Sequence, residues 1–171
     1  MPEPAPDGAT SSAPASAAPQ VLLGIDFGLR RIGMAVGDTI TRRARPRPAL
    51  QVAGGRAPGE AEFQRIAREL RDSGASRIVV GCPYNEDGSQ GALAIQAAQF
   101  AAELGRLHGL PVHLVDERYS SLEATEALRT MRADGTRRSR VEKPDIDSAA
   151  AAVILERWLA GEGQPGEATA R

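Results

Sequence analysis

The stretch Val21-Leu-Leu-Gly-Ile-Asp-Phe-Gly28 decides the fold of this 171-residue chain. Apolar side chains fill most of it, which is typical of a central β-strand, and one carboxylate, Asp26, stands near its end. Leu29-Arg30-Arg31 makes a turn, and Ile32-Gly-Met-Ala-Val-Gly37 follows as a second strand, so we predict a β-hairpin. Because a buried carboxylate is costly to desolvate, Asp26 needs a compensating partner in the folded protein.

The remaining chain predicts a mixed sheet covered by helices. A third strand, Arg45–Val52, contains two prolines and therefore belongs at the edge of the sheet. Apolar residues at helical spacing predict one helix before and one helix after a short strand at Arg77–Gly81. Another buried strand runs from Pro111 to Asp116. We predict an α/β fold with a mixed five-stranded sheet, a hairpin plus edge strand and then parallel strands, flanked by helices.

Two further carboxylates resemble Asp26 in their position. Glu117 follows the strand that ends at Asp116, and Asp147 opens the apolar helix Asp147–Leu155. We expect the first and last predicted strands to be neighbours in the sheet centre, which brings Asp26 and Glu117 together. Grouped carboxylates repel one another unless a divalent cation binds them, and their oxygens suit hard ions such as Mg²⁺ or Mn²⁺. The pattern favours metal-assisted chemistry on phosphate esters.

Each of these acids also has a structural interpretation. Asp26 is able to accept backbone hydrogen bonds, and Asp147 occupies a position where Asp commonly caps a helix. Either Asp116 or Glu117 is able to face the site, because a strand buried on both faces does not show which side chain points inward.

Two groups of basic residues flank the proposed acidic centre in sequence. They are Arg42, Arg43, Arg45 and Arg47, and then Arg132, Arg137, Arg138, Arg140 and Lys143. Runs of charge are usually solvated surface, but these also suit the backbone of a nucleic acid. The same two interpretations, solvated surface or contact with a nucleic-acid backbone, apply to Arg30 and Arg31 in the hairpin turn and to Arg118 beside the second acid. Arg118 is also able to neutralise Asp116.

Composition sets the remaining bounds. A net charge of -1 argues against a uniformly basic nucleic-acid binder, and one cysteine, Cys82, excludes an intrachain disulfide. Residues 1–19 are rich in Ala, Pro and Ser and contain no Lys or Arg, so we expect a disordered tail, followed by one domain at 20–160 and a flexible tail at 161–171. No apolar run reaches the roughly 20 residues of a membrane span, and we expect a cytoplasmic protein.

Four blocks of the chain match a known family in the same order. They are Gly24-Ile-Asp-Phe-Gly28 with Arg31-Ile-Gly33 and Val36-Gly37; Val79-Val-Gly-Cys-Pro83 with Asn85 and Asp87-Gly88; Val115-Asp-Glu-Arg118 with Ser121; and Asp147 with Ala151-Ala-Val-Ile-Leu155. This pattern resembles the YqgF/RuvX family of pre-16S rRNA nucleases, which are related in fold to Holliday junction resolvases and ribonuclease H. The resemblance covers about Val21 to Leu159.

The resemblance implies a ribonuclease H-like fold and a divalent-metal nuclease site that uses Mg²⁺ or Mn²⁺. The family pattern places the site acids on Asp26, Glu117 and Asp147. It also implies processing of the 5′ end of pre-16S rRNA during ribosome biogenesis. We expect the pre-ribosomal particle as a further partner and the protein to be a monomer or weak homodimer, although the sequence does not itself show the oligomeric state. One departure is that Pro144 and Ala150 occupy positions where related junction resolvases carry a fourth acid one helical turn from the last.

Three other functions remain open from the sequence. The substrate is equally able to be a DNA four-way junction, because the phosphodiester chemistry is the same. The chain is also able to act as a non-catalytic nucleic-acid-binding factor in ribosome assembly or transcription. The first block further resembles the phosphate loop of actin-like ATPases, but those proteins need two such domains and a longer chain.

Overall fold

A computed structural model describes residues 18–53, 57–83, 91–116 and 143–161, together with positions 126 and 130. The strands are β1 Val21–Asp26, β2 Arg31–Asp38, β3 Ala44–Gln51, β4 Arg77–Cys82 and β5 Val112–Asp116. The helices of the described ranges are α1 Glu60–Ser73, α2 Ala92–His108 and α3 Lys143–Leu159. None of these helices has the length and apolarity that a membrane span requires.

The five strands form one mixed sheet in the order β3-β2-β1-β4-β5. The hairpin strands β1 and β2 are antiparallel, β3 adds antiparallel to β2, and β4 and β5 continue in parallel from β1. The predicted sheet is confirmed, including the edge position of the strand that carries Pro46 and Pro48. Proline has no N–H to donate, so these residues are tolerated where only one side of the strand is paired.

The position of β5 corrects one expectation. We expected the strand before Glu117 to lie beside β1, but β4 lies between them and β5 occupies the other edge. The side chains explain the order. All but the first residue of β4 are buried, whereas β5 is only partly buried except at Val115. The more apolar strand occupies the centre because it buries both of its faces.

The two faces of the sheet have different neighbours. One face carries the larger core, in which Leu23 and Ile25 of β1 pack with Ile66 of α1 and Phe100 of α2. On the opposite face, Leu22 packs with Val79 and Val115 of the sheet and with Ile154 and Leu155 of α3. We call this second side the α3 face. Along each strand, successive side chains point in turn to the α3 face and to the face with the larger core.

Helix α3 approaches the backbone of β1 and β2 closely because glycines lie beneath it. A Cβ atom added to Gly24 would lie 2.8 Å from the Leu155 Cβ atom and 2.9 Å from the Ala151 carbonyl oxygen. A Cβ atom added to Gly33 would lie 2.0 Å from the Asp147 carbonyl oxygen. On the helix side, the consecutive residues Ala149–Ala152 are all buried. Small residues on both surfaces therefore set the distance between this helix and the sheet.

The start of α3 corrects the capping interpretation of Asp147. The helix begins at Lys143, so Asp147 lies one turn inside it and is not its N-cap. Pro144 belongs to the first turn, where a backbone N–H has no partner within the helix.

Replacing Gly33 with alanine is expected to lower the free energy of unfolding by about 3 kcal/mol, because the new Cβ overlaps backbone that the packing of α3 holds in place. Urea denaturation measures the change. Gly105→Ala in α2 is the matched control, since its Cβ atom would meet the Val112 Cγ2 atom at an ordinary 3.4 Å. Alanine also favours helix there, so stability should stay the same or rise by up to about 1 kcal/mol. Equal stability of Gly33→Ala and the unmodified protein would contradict the close-packing argument.

Candidate active site

Asp26 is the last residue of β1 and is partly buried. Strand alternation puts it on the α3 face, together with Leu22 and Gly24. Its paired neighbours are Gly33 on β2 and Gly81 on β4. Neither neighbour has a side chain, so no β-carbon from β2 or β4 stands beside the Asp26 side chain at the end of the sheet.

The packing of α3 brings Asp147 to the same place. Its carbonyl oxygen lies directly over Gly33, the residue paired with Asp26. Directly paired residues in antiparallel strands have Cα atoms about 4.5–5.5 Å apart, so the Asp147 backbone stands roughly one strand spacing from Asp26. The structure therefore brings together two of the three predicted acids, which are far apart in sequence.

Arg31 makes a contact that the sequence did not reveal. Its Nε atom donates a hydrogen bond to the Oδ2 atom of Asp147, and the two side chains form an ion pair. Both side chains are about a quarter exposed, at 27% for Arg31 and 25% for Asp147. Arg31 precedes Gly33 by two residues and so shares the α3 face with it. That spacing was visible in the sequence, but its partner lies 116 residues away along the chain.

The third predicted acid, Glu117, lies outside the described residues, as do Arg118, Arg137, Arg138 and Arg140. The described chain approaches it as far as Asp116, whose partner on β4 is Cys82, while Val115 pairs with Gly81. Within the described ranges, no group of three or more His, Cys, Asp or Glu residues is placed to hold a metal ion.

Two exposed cations adjoin the acids. Arg30 is exposed in the hairpin turn, directly before the residue that binds Asp147. Lys143 is exposed at the start of α3, four residues before Asp147, and residues at this spacing share one side of a helix. Both of these predicted nucleic-acid-binding residues are therefore exposed and neighbour the Arg31–Asp147 pair along the chain.

Two residues of the first arginine cluster, Arg45 and Arg47, lie on the face of the sheet opposite to the acids. Arg45 and Arg47 pair with Val36 and Met34 of β2, whose side chains pack in the larger core on the opposite face of the sheet. Arg47 also binds Glu69 of α1, with 2.5 Å between Nε and Oε1. These arginines therefore point away from Asp26 and Asp147.

The two described acids fit a hard divalent cation. Carboxylate oxygens are its preferred ligands, and Mg²⁺ commonly uses one or two protein carboxylates while water and substrate phosphates complete its shell. The contact of Arg31 with Asp147 involves one of the two carboxylate oxygens.

Comparison with solved structures defines the class of fold. Thermus thermophilus RuvC in complex with a Holliday junction substrate matches the chain with a TM-score of 0.55 at 16% identity, over 85% of this chain and 99% of that one. A second Thermus thermophilus RuvC structure matches with a TM-score of 0.51 at 18% identity and the same coverage. The chain therefore has the ribonuclease H-like fold of these resolvases, as its sequence predicted.

The sequence comparisons then identify the family. The pattern of the RuvX family, described as Holliday junction resolvase, matches residues 20–161, and the chain belongs to this family. A relative from Anaeromyxobacter sp. (strain Fw109-5), named "Putative pre-16S rRNA nuclease", is 45% identical over 81% of this chain and 96% of its own. Relatives of the same name from Bordetella parapertussis and Nitrosococcus oceani are 40% and 37% identical, over 85% and 88% of this chain and 98% and 93% of theirs. The predicted enzyme class, a nuclease that hydrolyses phosphodiester bonds, is confirmed.

Proposed function

We propose that this protein is a divalent-metal-dependent nuclease that processes the 5′ end of pre-16S rRNA. Asp26, Glu117 and Asp147 are its proposed ligands for Mg²⁺ or Mn²⁺. The observation that carries the proposal is the position of Asp147 over Gly33, the residue paired with Asp26. Two acidic residues from distant parts of the chain therefore have neighbouring backbones at this end of the sheet.

The alternation of β5 supports Glu117 as the third acid. Val115 packs on the α3 face, so Asp116 belongs to the opposite face. In an extended chain, the next position returns to the α3 face, the side on which Asp26 and Asp147 lie. This favours Glu117 over Asp116, a choice that the sequence left open.

The chain's own residues have distinct proposed roles. Asp26, held by strands on both sides, and Asp147, held by α3, keep two carboxylates at fixed positions. Arg30 and Lys143, both exposed beside them, contact phosphates of the nucleic-acid backbone. A divalent cation held by these acids would supply an activated water and neutralise charge on the phosphodiester. We assign phosphate contacts to Arg118, Arg137, Arg138 and Arg140 from their sequence alone.

The curated relatives favour RNA as the substrate. Relatives at 37–45% identity carry a name that refers to pre-16S rRNA, and they match the chain over nearly their whole length. The resolvase complex is 16% identical, a level that supports the fold and not the substrate. The family description nevertheless names a junction resolvase, so a DNA four-way junction is the second candidate. With an rRNA substrate, the proposed location is the cytoplasm and the proposed further partner is an assembling ribosomal particle.

Asp26→Asn is expected to reduce cleavage of a 5′-extended 16S rRNA fragment by at least roughly a hundredfold in Mn²⁺, since even losing an indirect partner of a metal costs about 10–100-fold. Asn has the same shape as Asp, so the thermal unfolding midpoint should stay close to that of the unmodified protein. The rate of product formation on a gel provides the measurement, beside a matched DNA junction.

Asp38→Asn is the matched control for that experiment. Asp38 lies at the other end of the same hairpin, where its carboxylate accepts hydrogen bonds from the backbone N–H groups of Ile40 and Thr41. Cleavage by this variant should equal that of the unmodified protein. Full activity in Asp26→Asn would refute the site assignment, and cleavage of the junction alone would move the substrate to DNA. Metal-dependent RNA binding with no cleavage would support a non-catalytic binding factor.

Arg30→Gln is expected to weaken RNA binding and to reduce the slope of log K against log salt concentration by about 0.7, because one phosphate contact to a single strand is lost. Arg45→Gln is the control, since Arg45 lies on the face away from the acids. The salt dependence of RNA binding should be the same for this variant as for the unmodified protein. Fluorescence anisotropy at several salt concentrations measures both. If both variants lost the same RNA affinity and the same salt slope, the RNA would have to bind a different surface.

A further inference from the structure

We propose that Arg31 is a built-in counter-cation that competes with the divalent metal for Asp147 and keeps metal affinity low until nucleic acid binds. This inference rests on the proposed function, because it concerns the same pair of acids. Arg31 is then a positioning residue that acts through Asp147, in addition to the phosphate contact predicted for it from sequence.

The geometry ties Arg31 to the acids through the backbone. Arg31 and Gly33 lie two residues apart on one face of β2, and the Asp147 carbonyl oxygen rests on Gly33. The Arg31 guanidinium therefore meets the Asp147 carboxylate without any movement of the helix. Neither partner is fully exposed, so solvent screens this pair less than it screens an ion pair on the open surface.

The same packing creates the need for a counter-cation. Close contact of α3 with β1 and β2 fixes the Asp147 backbone over Gly33, the residue paired with Asp26, so the backbones of the two acids cannot move apart. Other charged groups of the described elements near this end include exposed Arg30 and Lys143 and partly buried Asp145 and Asp116. Arg31 is a cation that directly contacts Asp147.

A metal ion that binds Asp147 must share this carboxylate with a guanidinium. Two cations on one carboxylate repel each other, and this repulsion is worth roughly tenfold in affinity even at the dielectric constant of water. A phosphate group of bound nucleic acid brings negative charge that offsets the repulsion. Metal and nucleic acid should therefore bind more tightly together than either binds alone, which is a coupling between two ligands at one site.

The test compares Mn²⁺ binding by the unmodified protein and by Arg31→Gln, using titration calorimetry without nucleic acid. The neutral variant is expected to bind Mn²⁺ about tenfold more tightly, because the competing charge is gone. In EDTA, the same variant should unfold at a lower temperature, since its paired acids have lost their counter-cation. Arg31→Lys, which retains the charge, should keep Mn²⁺ affinity within about twofold of the unmodified protein.

A purely structural role for Arg31 predicts a different pattern. In that case Arg31→Gln lowers the unfolding temperature equally with and without Mn²⁺, and the variant binds Mn²⁺ as tightly as the unmodified protein or more weakly. Unchanged Mn²⁺ affinity or weaker Mn²⁺ affinity would each overturn the proposal. Arg47→Gln is the matched control, because Arg47 forms a comparable ion pair with Glu69 on the opposite face. It should leave Mn²⁺ affinity unchanged. Arg31→Met gives a second neutral variant if Arg31→Gln fails to fold, with the same tenfold expectation.

The outcome also separates this inference from the proposed function. If the unmodified protein binds Mn²⁺ and cleaves RNA while Arg31→Gln binds Mn²⁺ no more tightly, only the role of Arg31 is refuted. If neither the unmodified protein nor any neutral variant binds Mn²⁺, the metal-dependent function and the inference are both refuted.

Discussion

The contact between α3 and the glycines of β1 and β2 is the constraint on which the rest of the structure depends. Gly24 and Gly33 leave no room for even a Cβ atom beneath the helix, and Ala151 and Ala152 present an equally small surface from above. Interiors pack densely and larger side chains cannot be absorbed, so this contact fixes both the height and the position of α3 along the sheet.

The site is a consequence of that packing. Once α3 rests on Gly33, Asp147 stands beside Asp26, although each residue alone is an ordinary acid near the end of its element. The same contact brings Asp147 to Arg31, which explains how two acids are held close at an end of the sheet that remains partly exposed. Fold stability and the proposed chemistry therefore depend on the same few small residues, and a change at Gly33 should affect both.

Local patterns predicted the elements well, and long-range relations less well. The hairpin, the proline-bearing edge strand and the parallel strands followed from apolar runs, turns and missing N–H donors, all of which act within a few residues. The place of β5 was wrong, because strand order depends on how completely each strand is buried relative to the others. The side on which Arg45 and Arg47 lie was not predicted either, since it depends on their pairing register with β2.

The sequence by itself determined the class of fold, the family and the identity of the candidate acids, because apolar periodicity and short motifs are local properties of the chain. Only the tertiary structure decided that Asp147 lies inside α3 over Gly33, that Gly33 and Gly81 flank Asp26, and that Arg31 binds Asp147. These relations join residues up to 116 positions apart. They depend on the distance between α3 and the sheet, which the small residues allow to be short but which cannot be predicted from their presence in the sequence.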